Sequence, residues 1–377
     1  MITRSTRTAL WAVALVGALG LSACSSSSST SASSSASPTA APADVATAKA
    51  AVAAYIGQPS AFPIDTPLTK KPTGKRIAYL DCGTPICGLF FVLAAPPMKA
   101  LGMTLTSIKA GLAADTVQAA FDAVVQGKYD GVFVPAIPPA LWKRGLQQLQ
   151  AAHIPVVTSG VAGADPAAVP VQQVGTIMDN HTGQLLADQV IAEHGDQTNV
   201  VLYYTPELDF TNLIQQAFVK EMTKLCPNCK ARVAKIPVTT FGTTAPSLVV
   251  NDLQANPATK TAIFGIGEQT PGLPAAMKTA GLSLETIVNS PDPANLELIQ
   301  KGEINMGYGL DLPVVAWTVA DSLARLTTGK PAAPGAVADI APTQFLRAAD
   351  LKGDVSRGWT GYPDFAVRFM KLWSSAK

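Results

Sequence analysis

From Lys75 onward, short apolar runs alternate with longer amphipathic stretches. The runs "RIAYLD", ending at Asp81, "YDGVFVP" and "IPVVTS" are rich in β-branched and aromatic residues and read as strands. Helices are predicted between them, from about Gly88 to Leu101, over "DTVQAAFDAVVQGK" and over "PALWKRGLQQLQAAH". In the second of these, Val117, Ala120, Phe121, Val124 and Val125 share one face, with Asp115 read as the cap and Gly127 as the stop. Further strands are predicted at "QQVGTIM", "TNVVLYY", "ARVAKIPV", "TAIFGIG", "ETIVNS" and "INMGYGL". Strands that are apolar on both faces and separated by helices imply parallel sheets covered on each side, so the expected class is α/β. About 300 residues of this pattern exceed one small core, so two domains are expected. In such sheets a ligand sits beyond the carboxyl ends of the strands, which makes the residues just after each strand the ones to search.

A different pattern precedes the alternation. Arg4 and Arg7 are the only charges before Cys24, and residues 9 to 21 are apolar apart from glycines. That is a charged start followed by an apolar run too short to cross a bilayer, which needs about 20 residues. The run ends in Leu21-Ser22-Ala23-Cys24, which resembles the lipobox of bacterial lipoproteins. The resemblance implies cleavage after residue 23 and a diacylglyceryl group on Cys24, two chains being what stable anchoring requires. Residues 24 to 43 are Ser, Ala and Pro almost throughout and read as a flexible tether. Residues 44 to 69 are expected to form a helical lead-in.

Charge narrows the partners. The chain has 28 Lys and Arg against 26 Asp and Glu, and removing residues 1 to 23 takes away two arginines and no acid, leaving 26 against 26. No basic stripe is visible, so nucleic acid is not an expected partner. Export also decides how to read the remaining cysteines. Cys82 and Cys87 in "DCGTPICG", and Cys226 and Cys229 in "CPNC", are local pairs in an oxidising compartment and are expected to be disulfides. Each bridge closes a short loop and contributes roughly 2 kcal/mol. Two rival readings exist: four thiolates around one zinc, which needs the pairs to meet in space, and a C-x-x-C redox motif, which needs its first cysteine at a helix start rather than after a helix.

Catalytic constellations are missing from the sequence. His153, His181 and His194 form no H-x-x-x-H pair, and there is neither a G-x-S-x-G elbow nor a phosphate-binding P-loop. "GIGEQTPG" follows a strand, but Thr270 stands where a dinucleotide loop needs its third glycine. The chain is therefore expected not to be an enzyme, and to use no cofactor and no metal.

The wording and order of "GKRIAYLDCGTP", "AVVQGKYDGVFVPAIPPALW", "VGTIMDNHTGQLLADQVI", "NPATKTAIFGIGEQTPGLPAAMKTAG" and "IQKGEINMGYGLDLPVVAWTVADSLARLTTGK" resemble the type I periplasmic binding proteins. These are the solute receptors of ABC importers for sugars and related small molecules. A lipid anchor agrees with the actinobacterial kind, in which no outer membrane retains a soluble receptor. The resemblance implies two similar lobes joined by three crossing strands, with solute trapped between them as a hinge closes. The first lobe would take residues 70–178 and 312–337, the second residues 179–311 and 338–377. Asp179 and Asn180 would stand at the first crossing, Leu310 to Pro313 at the second. The expected partners are a small solute, carbohydrate-like first, a membrane permease and its ATPase, and the membrane itself through the lipid, with the receptor a monomer. The alternative is a ligand-sensing lipoprotein that signals to a membrane receptor.

The sequence departs from the family at several strand ends. Ser159-Gly160-Val161 stands where sugar receptors often carry Asp-Arg, Ile266 to Gln269 where Asn-Asp is usual, and Asn289-Ser290 where an Asp often binds sugar. The hydroxyl-binding set is thinned. The candidate ligand-binding residues that remain are Thr84, Phe90, Asn180, Phe210, Asn212, Glu268, Gln269 and Asp311, while Asp179 reads as a helix cap. The lipobox generates the first prediction: the Cys24→Ala protein should lose both lipid modification and membrane association. Fractionation with mass spectrometry of the N-terminal peptide checks it, and a variant that stays membrane-bound and is processed normally refutes it.

Overall fold

The structure is a computed structural model and describes residues 41–59, 61–339 and 341–376. The signal segment, Cys24 and nearly all of the expected tether lie outside the described residues. The chain opens with α1 (Val45–Ala53), β1 (Arg76–Asp81), α2 (Pro85–Ala100), β2 (Thr104–Lys109), α3 (Ala114–Gln126) and β3 (Gly131–Pro135). It continues through α4 (Lys143–Ala151), β4 (Val156–Ser159), β5 (Val171–Gln173), α5 (Thr176–His194), β6 (Asn199–Tyr204) and α6 (Asp209–Leu225). Next come β7 (Lys230–Lys235), α7 (Ala245–Ala255), β8 (Thr261–Phe264), α8 (Leu273–Thr279), β9 (Glu285–Asn289) and α9 (Pro293–Gln300). It ends with β10 (Met306–Leu310), α10 (Leu312–Leu326), α11 (Pro334–Val337), β11 (Thr343–Leu346) and α12 (Phe365–Trp373).

Two sheets organise these elements. The first has the order β2-β1-β3-β4-β5 and is parallel throughout. The second has the order β11-β10-β9-β8-β6-β7 and is parallel except for β11, which runs against β10. Apart from β11 the orders are the same, so each lobe is doubly wound and each reverses direction once, beside β1 in one and beside β6 in the other. Every residue of β3, β4, β8 and β10 is buried, as strands sandwiched between helices must be. The edge strands β2 and β7 alternate exposed and half-buried positions instead.

α10 is the most enclosed helix of the first lobe. All residues from Leu312 to Arg325 are buried, and α2, α11, α12 and strands β3 to β5 pack around it. Its one ion pair is correspondingly well satisfied. Arg325 Nε donates to Asp321 Oδ2 at 2.7 Å, and the guanidinium also reaches the carbonyls of Thr66 and Pro67. Asp321 Oδ1 accepts from Trp373 Nε1 at 2.9 Å. That indole stacks on Trp317, with ring centroids 5.3 Å apart and planes 6° off parallel.

Several expectations are corrected in detail. The segment "QQVGTIM" is not one strand: β5 stops at Gln173 and α5 begins at Thr176. Asp115 lies inside the first turn of α3, whose cap position is Ala113. The C-terminal segment does not stay with the second lobe, because β11 joins that sheet while Phe369 and Trp373 of α12 belong to the core around α10. The lead-in divides likewise: Ala48 and Val52 of α1 pack with Leu186 and Phe218 in the second lobe, whereas Ile64 and Leu68 enter the first core. The chain thus passes between lobes before β1 and after β11, besides the passages after β5, after β10 and before β11. Cys82 is bonded to Cys87 and Cys226 to Cys229, in separate cores, so the pairs do not meet around a zinc.

The buried ion pair gives a stability prediction. Arg325→Met leaves the Asp321 carboxylate without its countercharge and should cost about 3–5 kcal/mol, read by denaturant titration. Adding Asp321→Asn should recover part of that loss, since the asparagine carries no charge and still accepts from Trp373. A loss under about 1 kcal/mol in the single variant contradicts this account.

Candidate functional site

A cleft lies where the carboxyl ends of the two sheets face each other. Its inner compartment, about 640 Å³ with its mouth included, is lined by residues that follow strands: Ala136 after β3, Ser159 and Gly160 at the end of β4, Val174 after β5, and Ile266, Asn289, Ser290 and Leu310 from the second lobe. Helices supply Ile86 and Phe90 from α2, Met178, Asp179 and Thr182 from α5, Phe210 and Ile214 from α6, and Leu312 from α10. Tyr308 and Thr343 complete the wall. Four of these positions have left-handed backbone: Gly160 (φ 65°), Ala136 (φ 48°), Val174 (φ 54°) and Ser290 (φ 49°). Three are not glycine, and strain of this kind, of order 1–3 kcal/mol each, concentrates at ligand clamps.

The outer compartment, about 630 Å³ with open solvent at its mouth included, shares Ile86, Ile266 and Ser290 with the inner one and adds Leu89, Glu268, Asp292 and Pro293. Here one bond spans the lobes. The amide of Ile86, in the first turn of α2, donates to Glu268 Oε1 at 2.6 Å. The N-cap residue of α2, Thr84, makes no side-chain cap of its own. Its hydroxyl lies 3.3 Å from Cys82 Sγ instead. An acid from the opposite lobe therefore satisfies a free donor at this helix start, where the helix dipole favours negative charge. Burial pushes Glu268 up from 4.5 to about 7, against the pull of the Ile86 amide and with a smaller push from Asp292. Its other oxygen, Oε2, is buried without a partner.

The candidate residues separate into two groups. Phe90 and Phe210 line the inner compartment and Glu268 the outer one. Thr84, Asn180, Asn212, Gln269 and Asp311 line neither, and each has a local reason. Asn180 Nδ2 bonds back to the Thr176 carbonyl of its own helix at 2.7 Å, and Asn212 Nδ2 to the Pro206 carbonyl at 3.1 Å. Gln269 is fully buried and donates to Thr205 Oγ1. Asp311 caps α10 through the Val314 amide and also accepts from Thr360 Oγ1 and the Gly361 amide, while burial pushes it up to about 7.

Asp179 is corrected in the opposite direction. The start of α5 is held by Asp339, whose carboxylate accepts from the amides of Gly175, Ile177 and Met178. That leaves Asp179 facing the cleft rather than capping. Ile86, Met178, Tyr308 and Leu312 were also missed by sequence reasoning. Only the general rule of searching strand ends points towards Tyr308 and Leu312, and nothing local marks the others.

Comparison with known proteins agrees with this geometry. No curated protein matches the sequence. Among solved structures, a galactofuranose binding protein has 15% identity and a TM-score of 0.60, covering 80% of this chain and 98% of its own. A 5-methylthioribose transporter solute binding protein from Thermotoga lettingae, solved with 5-methylthioribose, has 16% identity and a TM-score of 0.61, covering 81% and 96%. A glucose-galactose binding protein from Geobacillus stearothermophilus has 16% identity and a TM-score of 0.61, covering 74% and 98%. At such identities the likeness is one of fold. The family model for the periplasmic binding protein domain matches residues 98–331, well over half of the sequence. With its two doubly wound lobes, this chain belongs to the periplasmic binding protein family, in the type I fold.

Proposed function

We propose that the protein is the lipid-anchored, extracytoplasmic solute receptor of an ABC importer, trapping one small organic molecule between its lobes and leaving it chemically unchanged. The cleft enclosed by both sets of strand ends, and bridged by Glu268 and Ile86, carries this reading. A molecule seated there touches both lobes at once, so its binding favours the closed arrangement over any open one. A permease can then distinguish loaded from empty receptor by a surface that only the closed form presents. The galactofuranose and 5-methylthioribose of the similar structures support a solute of sugar size. Lobe boundaries near residues 178 and 312 would place the flexing segments after β5 and after β10.

The test is a thermal-shift screen of the protein against sugars, polyols, nucleosides and small amines, followed by small-angle scattering. A binder at a hundred times its Kd should add about 2.7 kcal/mol of stability. The same binder should reduce the radius of gyration and be recovered unaltered. A turned-over product, or binding without compaction, overturns the reading.

Closure should also respond to pH through Glu268. In an open form this carboxyl meets water and keeps its ordinary value near 4.5, whereas the closed form holds it near 7. The closed form therefore takes up a proton, and the stability this confers is complete below about 4.5 and lost as the pH rises through about 7. The unliganded protein should scatter as a more compact particle at pH 5 than at pH 8. Glu268→Gln, which keeps an acceptor for the Ile86 amide but does not titrate, should reduce the difference. An unchanged pH response in that variant refutes the assignment.

A further inference from the structure

Asp179 is the unexplained group of the inner compartment. It is 1% exposed and its Oδ2 has no hydrogen-bond partner. Burial, reinforced by the nearby Asp339, holds its carboxyl well above the ordinary 3.8. Asp339 offers no relief, being an acid itself and engaged with three backbone amides. A buried polar group left unsatisfied costs about 1–3 kcal/mol, more when charged, and so calls for a partner from elsewhere.

Two independent features bear on the chemistry of that partner. The rings of Phe90, Phe210 and Tyr308 line the same compartment, and aromatic faces attract cations. Among the described residues no lysine, arginine or histidine lines either compartment, while the outer one adds Glu268 with its own unpaired oxygen and Asp292. The cleft is thus acidic and aromatic without a base. An anionic solute would be buried against like charge, and a bare sugar would find few free polar partners. Asn289 Nδ2 is taken by the Gly265 carbonyl and Thr343 Oγ1 accepts from the Tyr308 hydroxyl, while Ser159 Oγ is a further buried polar atom of the lining without a partner.

We infer that the solute carries a protonated amine, held by the Asp179 carboxylate among the rings of Phe90, Phe210 and Tyr308, on an apolar body that packs against Ile86, Met178 and Leu312. The inference rests on the receptor reading and narrows its solute class. It removes the anomaly of Asp179, since the ammonium supplies both the missing donors and the missing countercharge.

A matched trio on one phenyl body tests it: 2-phenylethylamine, 2-phenylethanol and phenylacetate, with D-ribose and D-galactose as controls, titrated by calorimetry into the full-length protein. The amine should bind about tenfold or more tightly than the alcohol, and phenylacetate should not bind. Asp179→Asn, nearly the same in shape, should erase the preference for amine over alcohol while leaving the alcohol's affinity in place. Phe210→Leu should weaken the amine more than the alcohol. No binding of the amine, equal binding of phenylacetate, or tighter binding of either sugar overturns the inference. A sugar that binds and compacts the protein would do so while leaving the receptor reading intact. If no solute of the wider screen compacts the protein, the receptor reading falls as well.

Discussion

The enclosure of α10 is the constraint from which much else follows. A helix buried from Leu312 to Arg325 has no solvent in which to place a charge, so Asp321 and Arg325 must answer each other. Their remaining hydrogen-bonding capacity is then met by segments distant in sequence, the carbonyls of Thr66 and Pro67 and the indole of Trp373. The lead-in and the C-terminal helix are held to the first lobe through this node. The first residue of the same helix, Leu312, lines the cleft, and Asp311 caps it while also gripping Thr360 and Gly361. A buried core element thus ends at the inner compartment of the cleft, and the residue that caps it is tied to the segment leading into α12.

The site is a product of topology more than of any motif. Both sheets reverse direction beside their first strands, and both aim their strand ends at a common space. Left-handed residues just after β3, β5 and β9 turn the chain sharply there, which lets short loops form the wall. Specific chemistry is then added sparsely, by Asp179, Ser159 and Glu268 on an otherwise mostly apolar surface.

The sequence showed the architecture because central strands such as β3 and β10 are buried on both faces and stand out as unbroken apolar runs. It hid the edge strand β2, where "TLTSIK" mixes polar with apolar residues and gives little reason to expect a strand, whereas β7 is legible within "ARVAKIPV". The "QQVGTIM" segment misled for a definite reason: Val174, Ile177 and Met178 continue a β-like pattern, and the break between them is a left-handed valine, a conformation its side chain disfavours. The site was less legible still. Asp179 looks like a cap until Asp339, distant in sequence, is seen to occupy that position. Asp311 and Gln269 have the right chemistry at the right strand ends, yet their partners turn them inward. Local sequence reports which groups are available, whereas long-range contacts decide which remain free.

The way the chain enters the fold has a mechanical consequence. The Asp44 amide bonds to the Leu225 carbonyl, the Ala43 amide to Asp196, and the Asn228 side chain to the Ala41 carbonyl, all in the second lobe and beside the Cys226–Cys229 bridge. Helix α1 then lies along α5 and α6 before the chain reaches the first lobe. Tension applied at the leading end is therefore borne by the second lobe, as by a fixed mounting. Such a pull reaches the first lobe only through the passages that join the two lobes.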